Sequence, residues 1–146
     1  MSAKQESLTE WITKLNDTLF IQPNDEIAIK AIDEQVDPSL ITNASDPWHT
    51  RINHNVYTYN QFKGGLLYVR GSTTAIQDEF SEILTWEDPE KGDGVVAVLS
   101  KWRTKHKETG EEAKKTNVIL WEVKLIDGKR KLTGQTEVET WLTFPK

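Results

Sequence analysis

The chain contains no cysteine among its 146 residues. Disulfides, thiolate nucleophiles and cysteine-based zinc or iron–sulfur sites are therefore excluded. The sequence also lacks a glycine-rich phosphate loop and the HExxH spacing of zinc enzymes. We accordingly expect no metal site, no bound nucleotide and no cofactor.

Long apolar runs are missing as well, and the first residues, MSAKQESLTE, carry no apolar signal segment. Basic residues are too few for a nucleic-acid surface, since the formal net charge is −5 and phosphate binding needs clustered Lys and Arg. We expect a cytoplasmic protein that binds neither nucleic acid nor membrane. Hydrophobic residues make up 36% and charged residues 28%, which is typical of one folded domain over 1–146.

Tryptophan is abundant, with six residues in this short chain. Each indole brings a large apolar area and one N–H that needs a partner when it is buried. The rings can fill the core, line an apolar ligand pocket, or do both.

Periodicity predicts an α+β domain in which helices come first and strands follow. Apolar residues recur at helical spacing in the first half, and a long alternation begins after Gly71. The predicted elements are helices at 5–20, 25–36 and 58–70 and strands at 80–87, 95–106, 114–126 and 131–144. We expect Gly64 and Gly65 to permit close approach of another element to the third helix.

Residues 37–57 are predicted to form an irregular segment, rich in Asn, Asp, Ser and Pro. Long ordered loops often carry function. This one holds Asp46, His49 and His54, a carboxylate and two imidazoles that suit acid–base chemistry near neutral pH. Tyrosine or tryptophan groups nearby could hold a carbonyl oxygen.

The chain resembles the nuclear-transport-factor-2-like superfamily, in particular its branch of SnoaL-like polyketide cyclases and ketosteroid isomerases. The segments that carry the likeness are RINHNVYTYNQFKGGLLYVRG (51–71), VVAVLSKWRTKHKETGEE (95–112) and VILWEVKLIDGKRKLTGQTEVE (118–139). The resemblance implies a cone-shaped barrel of cystatin-like topology, with three N-terminal helices on a strongly curved antiparallel sheet. It also implies an apolar cavity and a homodimer formed through the convex sheet face.

The family's catalytic groups are only partly matched. In ketosteroid-isomerase-like members a carboxylate before the third helix acts as base, and the matching residue here is Asp46. The family's phenol and strand acid fall near Trp11 and near Leu120 or Trp121, which cannot supply them. This departure argues against ketosteroid isomerase chemistry itself.

The leading hypothesis is an isomerase, cyclase or dehydratase that acts by proton transfer on a hydrophobic molecule of polyketide or terpenoid type. Its predicted catalytic residues are His54, Asp46 and His49. Its predicted substrate-binding residues are Trp48, Tyr57, Tyr59, Phe62, Trp86, Trp102 and Trp121. A non-catalytic binding domain and an interaction module that uses the sheet face remain open alternatives.

Overall fold

The computed structural model describes residues 6–37, 49–53 and 55–144. Within these ranges three α-helices and one π-helical segment pack against a six-stranded sheet. The helices are α1 (Leu8–Asn16), α2 (Asp25–Gln35) and α3 (Tyr59–Ser72), with the π-helical segment at Asp17–Ile21. The strands are β1 (His49–Ile52), β2 (Asn55–Tyr57), β3 (Thr73–Glu87), β4 (Gly94–His106), β5 (Glu112–Ile126) and β6 (Lys129–Phe144).

Side-chain caps start all three α-helices. The Ser7 hydroxyl accepts a hydrogen bond from Glu10 N, and Asn24 caps α2 in the same way. Thr58 and Gln61 form a reciprocal capping box at the start of α3. These bonds satisfy backbone N–H groups that have no partner inside the helix.

Two glycine-containing turns join the last three strands. Gly110 (φ 71°) turns β4 into β5, and Asp127 (φ 52°) with Gly128 (φ 78°) turns β5 into β6. At Asp127-Gly128 both central residues have positive φ, as the type I′ turn of a two-residue hairpin requires. His106 braces the first turn, because its Nδ1 accepts hydrogen bonds from the N–H groups of Glu108 and Thr109.

The strand order is β2-β1-β6-β5-β4-β3, and every neighbouring pair is antiparallel except β1 with β6. Register shifts occur at Gln77/Glu79, Glu82/Leu84 and Glu122/Val123. Such bulges bend strands, and the sheet curves around the helices. The predicted fold class, three N-terminal helices on a curved and mainly antiparallel sheet, is confirmed.

Three local predictions were wrong. The segment 37–57 contains β1 and β2, two very short strands stabilised by pairing within the sheet rather than by local propensity. Strand β3 begins at Thr73 rather than Phe80, because a bulge accommodates Asp78 and Arg103 pairs with it. A Cβ built on Gly64 or Gly65 meets no atom of the described residues within 4 Å, so neither glycine permits a close approach.

The core lies between the helices and the inner face of β4, β5 and β6. Its largest fully buried side chain is Trp121, which contacts Phe80 edge-on at 6.3 Å between ring centroids. Arg70 links α3 to the preceding elements, donating to the carbonyls of Leu19 and Gln22 and to the Asp25 carboxylate. The helices are thereby held over one half of the sheet, and a cavity lies beside the core.

Candidate functional site

A cavity of about 670 Å³ lies between the π-helical segment and α3 on one side and the inner face of β4–β6 on the other. Its helical wall is largely apolar, with Phe20, Phe62, Leu66 and Val69. Its floor on the sheet is largely polar. A mostly apolar hollow with a few converging polar groups is the usual form of a small-molecule site.

The alternation of strand side chains produces this polar floor. Gln135, Glu137 and Glu139 occupy every second position of β6, and all three line the cavity. Lys115 and Asn117 line it from β5, where Asn117 lies opposite Glu139. Five polar side chains of two neighbouring strands therefore face one space.

Glu137 and Glu139 form a carboxyl pair within this floor. Burial, followed by a hydrogen bond to Glu139, raises the pKa of Glu137 from 4.5 to about 8. The Lys115 ammonium lies 3.4 Å from Glu139 Oε2 and forms an ion pair with that carboxylate. Near pH 7 Glu137 therefore keeps its proton beside an ion-paired carboxylate.

Asn53 fixes the backbone beneath this pair. Its side chain donates to Glu139 O and accepts from Glu139 N, both at 2.8 Å. Asn53 has φ 48°, a left-handed conformation that asparagine tolerates better than most residues. The β1–β2 turn is thus attached to β6 at the position of the ionised carboxylate.

A chain of polar side chains closes one end of the cavity. Asn16 donates to Gln77 at 2.8 Å, and Gln77 donates to the Ser100 hydroxyl at 2.9 Å. These bonds connect α1, β3 and β4, and Ser100 is directly opposite Asn117 on β5. The chain holds Ser100 in place at the edge of the floor.

Several buried polar atoms beside the core and the cavity have no hydrogen-bond partner within the described residues. They include Asn117 Oδ1, Trp121 Nε1 and Gln135 Nε2. Buried polar groups in proteins are nearly always paired, so each such atom calls for an explanation. Asn117 and Gln135 also line the cavity, where a bound molecule can supply the partner.

Aromatic rings flank the polar floor. Trp102 packs edge-on against Phe20 at 6.1 Å between ring centroids. Trp141 lies beside Lys115, with the ammonium 5.3 Å from the ring centroid. Trp141 is 60% exposed, so it covers the Lys115 ammonium from the open side of the cavity.

No family model matches the sequence, and no curated protein matches it significantly. Solved structures do match. A ketosteroid isomerase-like protein from Erwinia carotovora atroseptica aligns with a TM-score of 0.61 at 9% identity, over 88% of this chain and 87% of that one. A nuclear-transport-factor-2-like protein from Cytophaga hutchinsonii aligns with a TM-score of 0.56 at 12% identity, over 92% and 100%. The chain has the nuclear-transport-factor-2-like fold.

A third structure with this fold is a Nostoc punctiforme protein of cystatin-like fold, which aligns with a TM-score of 0.54 at 8% identity over 94% of this chain and 96% of that one. The predicted superfamily fold is confirmed. At such identities the likeness concerns the fold alone, so the chemistry has to be argued from the cavity.

The structure distributes the predicted substrate-binding residues over different environments. Tyr57, Phe62 and Trp102 line the cavity. Tyr59 is buried in the core, where burial raises its pKa, and Trp121 is fully buried there too. Trp86 is 58% exposed on the outer face of the sheet.

The predicted catalytic residues lie at or beyond the limits of the described chain. Asp46, Trp48 and His54 are outside the described residues. His49 begins β1, and its backbone is in register with Gly134 of β6. The roles of Asp46, His49 and His54 remain predictions.

Sequence reasoning missed the pair Glu137 and Glu139. Their spacing of two, together with Gln135, was the available signal, because alternate strand residues share a face. The intervening residues of β6 include Val138, which is 65% exposed. The usual rule, that the apolar face of a strand is the buried one, predicts the wrong inner face for β6.

Within the described ranges, no helix has the length and apolar character needed to cross a bilayer.

Proposed function

We propose that this chain is a cofactor-independent enzyme that isomerises, cyclises or dehydrates a hydrophobic small molecule by acid–base proton transfer. The observation that carries the proposal is the carboxyl pair in the cavity floor, where Glu137 keeps its proton near pH 7 and Glu139 forms an ion pair with Lys115. An acid and a base side by side can each act without a cofactor.

The proton balance of such a reaction closes on the pair itself. The ionised Glu139 removes a proton from a carbon next to a carbonyl, and the protonated Glu137 delivers its proton to the substrate. In an isomerisation that proton goes to another carbon, and in a dehydration it goes to the departing hydroxide and forms water. The pair ends with one proton, as it began.

The cavity's shape supports a substrate that is mainly apolar. Phe20, Phe62 and Leu66 offer an apolar wall opposite the polar floor. A polyketide- or terpenoid-like molecule fits this division, with its body on the helices and its oxygen atoms toward the sheet. Tyr57 and Trp102 are proposed to contact it.

The loop residues remain part of the proposal. Strand β1 pairs with β6 from Gly134 to Glu137, and it follows directly on the segment that holds Asp46. We propose that Asp46, His49 and His54 assist the carboxyl pair, as a second acid–base group or by holding the substrate.

The test is proton transfer from carbon in a probe that needs only a base, 5-nitrobenzisoxazole, whose ring opening is followed by absorbance. Glu139→Gln removes the base and should lower the protein-dependent rate by about a hundredfold or more. Glu122→Gln is the matched control, because it makes the same change on the outer face of β5. Equal rates in all three proteins would refute the assignment.

A non-catalytic binding domain is the alternative. Trp11 stands near the position where the resemblance implies a phenol, and the lack of that acid favours the non-catalytic alternative. In that case 5-nitrobenzisoxazole and hydrophobic ketones would bind the cavity, with no proton transfer above that of a Glu137→Gln, Glu139→Gln double variant.

We also propose that two copies associate through the outer face of the sheet. Exposed apolar side chains lie there on three strands, β3, β5 and β6: Leu84, Trp86, Val118, Leu120, Val138 and Leu142. Large exposed apolar patches on a folded protein usually mark an interaction surface. A two-fold dimer places this patch against itself.

A further inference from the structure

Two buried amides flank the carboxyl pair on the cavity floor. Gln135 precedes Glu137 by two residues on β6, and Asn117 lies opposite Glu139 on β5. Gln135 is 5% exposed and Asn117 is 4% exposed, and both line the cavity. Among the described residues, neither Gln135 Nε2 nor Asn117 Oδ1 has a hydrogen-bond partner.

The two unpartnered atoms have opposite requirements. Gln135 Nε2 is a donor and needs an acceptor, such as a carbonyl oxygen, whereas Asn117 Oδ1 is an acceptor and needs a donor, such as a hydroxyl. Their positions are four residues apart along the paired strands, which corresponds to roughly 13 Å. A single ligand must therefore be elongated to reach both.

The charges on the floor indicate a neutral ligand. Glu137 holds its proton near pH 7, and the charge of Glu139 is balanced by Lys115 at 3.4 Å. A carboxylate or an ammonium group buried on this floor would meet Lys115 and Glu139 already paired with each other, and its desolvation would be costly.

We propose that the cavity selects a neutral, elongated hydroxy-ketone, with its carbonyl bound by Gln135 and its hydroxyl bound by Asn117. A carbonyl held at Gln135 lies beside the acid Glu137, the next residue on the same strand face, and the ligand then runs toward the base Glu139, which lies opposite Asn117. The inference rests on the proposed function for the reaction at that carbon, and it makes Gln135 and Asn117 the specificity residues of the site.

The test measures binding of four rigid probes by quenching of tryptophan fluorescence, since Trp102 and Trp141 line the cavity. The probes are 4-acetyl-4′-hydroxybiphenyl, which carries both groups, 4-acetylbiphenyl, 4-hydroxybiphenyl and 4-acetyl-4′-methoxybiphenyl. Gln135→Met and Asn117→Leu each remove one hydrogen-bonding group and keep a similar volume. Thr140→Val, on the exposed face of β6, is the control.

The two-ended probe should bind the unaltered protein most tightly. Gln135→Met should weaken only the three acetyl probes, and Asn117→Leu only the two hydroxyl probes, by about three- to tenfold each. Neither variant should melt at a lower temperature, because each removes a buried polar atom that has no partner. Thr140→Val should change nothing.

An equal loss for all four probes in either variant would overturn the inference, and so would unchanged binding or a wild-type protein that binds none of them. These measurements do not depend on turnover. The predicted selectivity without proton transfer would remove the proposed function and leave this inference standing. Proton transfer without this selectivity would overturn the inference and leave the proposed function standing.

Discussion

Replacing Glu137 by glutamine should change how the stability of the protein depends on pH. Burial and the hydrogen bond to Glu139 raise the pKa of Glu137 from 4.5 to about 8 in the folded state. The folded protein therefore holds this proton over a pH range in which the unfolded chain has lost it. The contribution to stability is full below pH 4.5 and declines as the pH rises through 8.

The size of this effect follows from the pKa values. One pKa unit corresponds to 1.36 kcal/mol, so the wild-type protein should lose roughly 3 kcal/mol between pH 5 and pH 8 through this group. Glutamine has nearly the same shape, does not titrate, and can still donate to the Glu139 carboxylate. Glu137→Gln should therefore lack this part of the pH dependence.

The assay is urea unfolding followed by tryptophan fluorescence, at several values between pH 5 and pH 8.5. The difference in unfolding free energy between Glu137→Gln and wild type should grow in favour of the variant as the pH rises. Glu122→Gln, on the other face of the sheet, should parallel wild type throughout. Parallel curves for Glu137→Gln as well would refute the claim that this carboxyl is protonated in the fold.

Three further predictions concern the fold and its outer surface. Gly94→Ala should cost about 1–3 kcal/mol of unfolding free energy in urea titrations, because a Cβ there would lie 2.6 Å from the Trp86 carbonyl oxygen; an unchanged midpoint would contradict this. Arg70→Met should lower the unfolding free energy by about 2–4 kcal/mol, because it leaves two carbonyls without their donor. Asp25→Asn should lower it by less than about 1 kcal/mol, because Asp25 is mostly exposed. Equal losses in the two variants would show that the ion pair dominates. Val138→Lys should convert a dimer into a folded monomer in sedimentation experiments, and a dimer that persists would exclude the outer sheet face as the interface.

Sequence patterns predicted those elements whose signals are local. The helix predicted at 58–70 and the strands predicted at 95–106 and 114–126 depend on neighbouring residues, among them the Thr58 cap and the Gly110 turn, and all three elements appear in the structure. The long alternation of β4 likewise identifies a strand with one buried face. The superfamily resemblance added the curved sheet and the cavity.

Features that depend on distant partners were not predictable in this way. Strands β1 and β2 span four and three residues, and β1 exists through its pairing with β6, more than eighty residues away along the chain. The inner face of β6 carries Glu137 and Glu139 while Val138 faces outward, so hydrophobic patterning assigns the two faces the wrong way round. Only the position of the helices shows which face encloses the cavity.

The catalytic residues predicted from the sequence are those whose side chains are acids or bases by themselves. Histidines titrate near neutral pH without any help from the fold, so Asp46, His49 and His54 stand out in a sequence. A glutamate becomes a comparable acid only when burial and a second carboxylate raise its pKa, and both depend on tertiary structure. Glu137 could be identified as an acid only from the folded arrangement.

The most direct test of the account is the titration of the Glu137 carboxyl carbon by NMR, in protein labelled with ¹³C at glutamate carboxyl groups. Glu137→Gln identifies the signal by its loss. We predict a midpoint near pH 8. A midpoint near 4.5 would contradict this prediction, and the cavity would then lack the acid that the proposed chemistry requires.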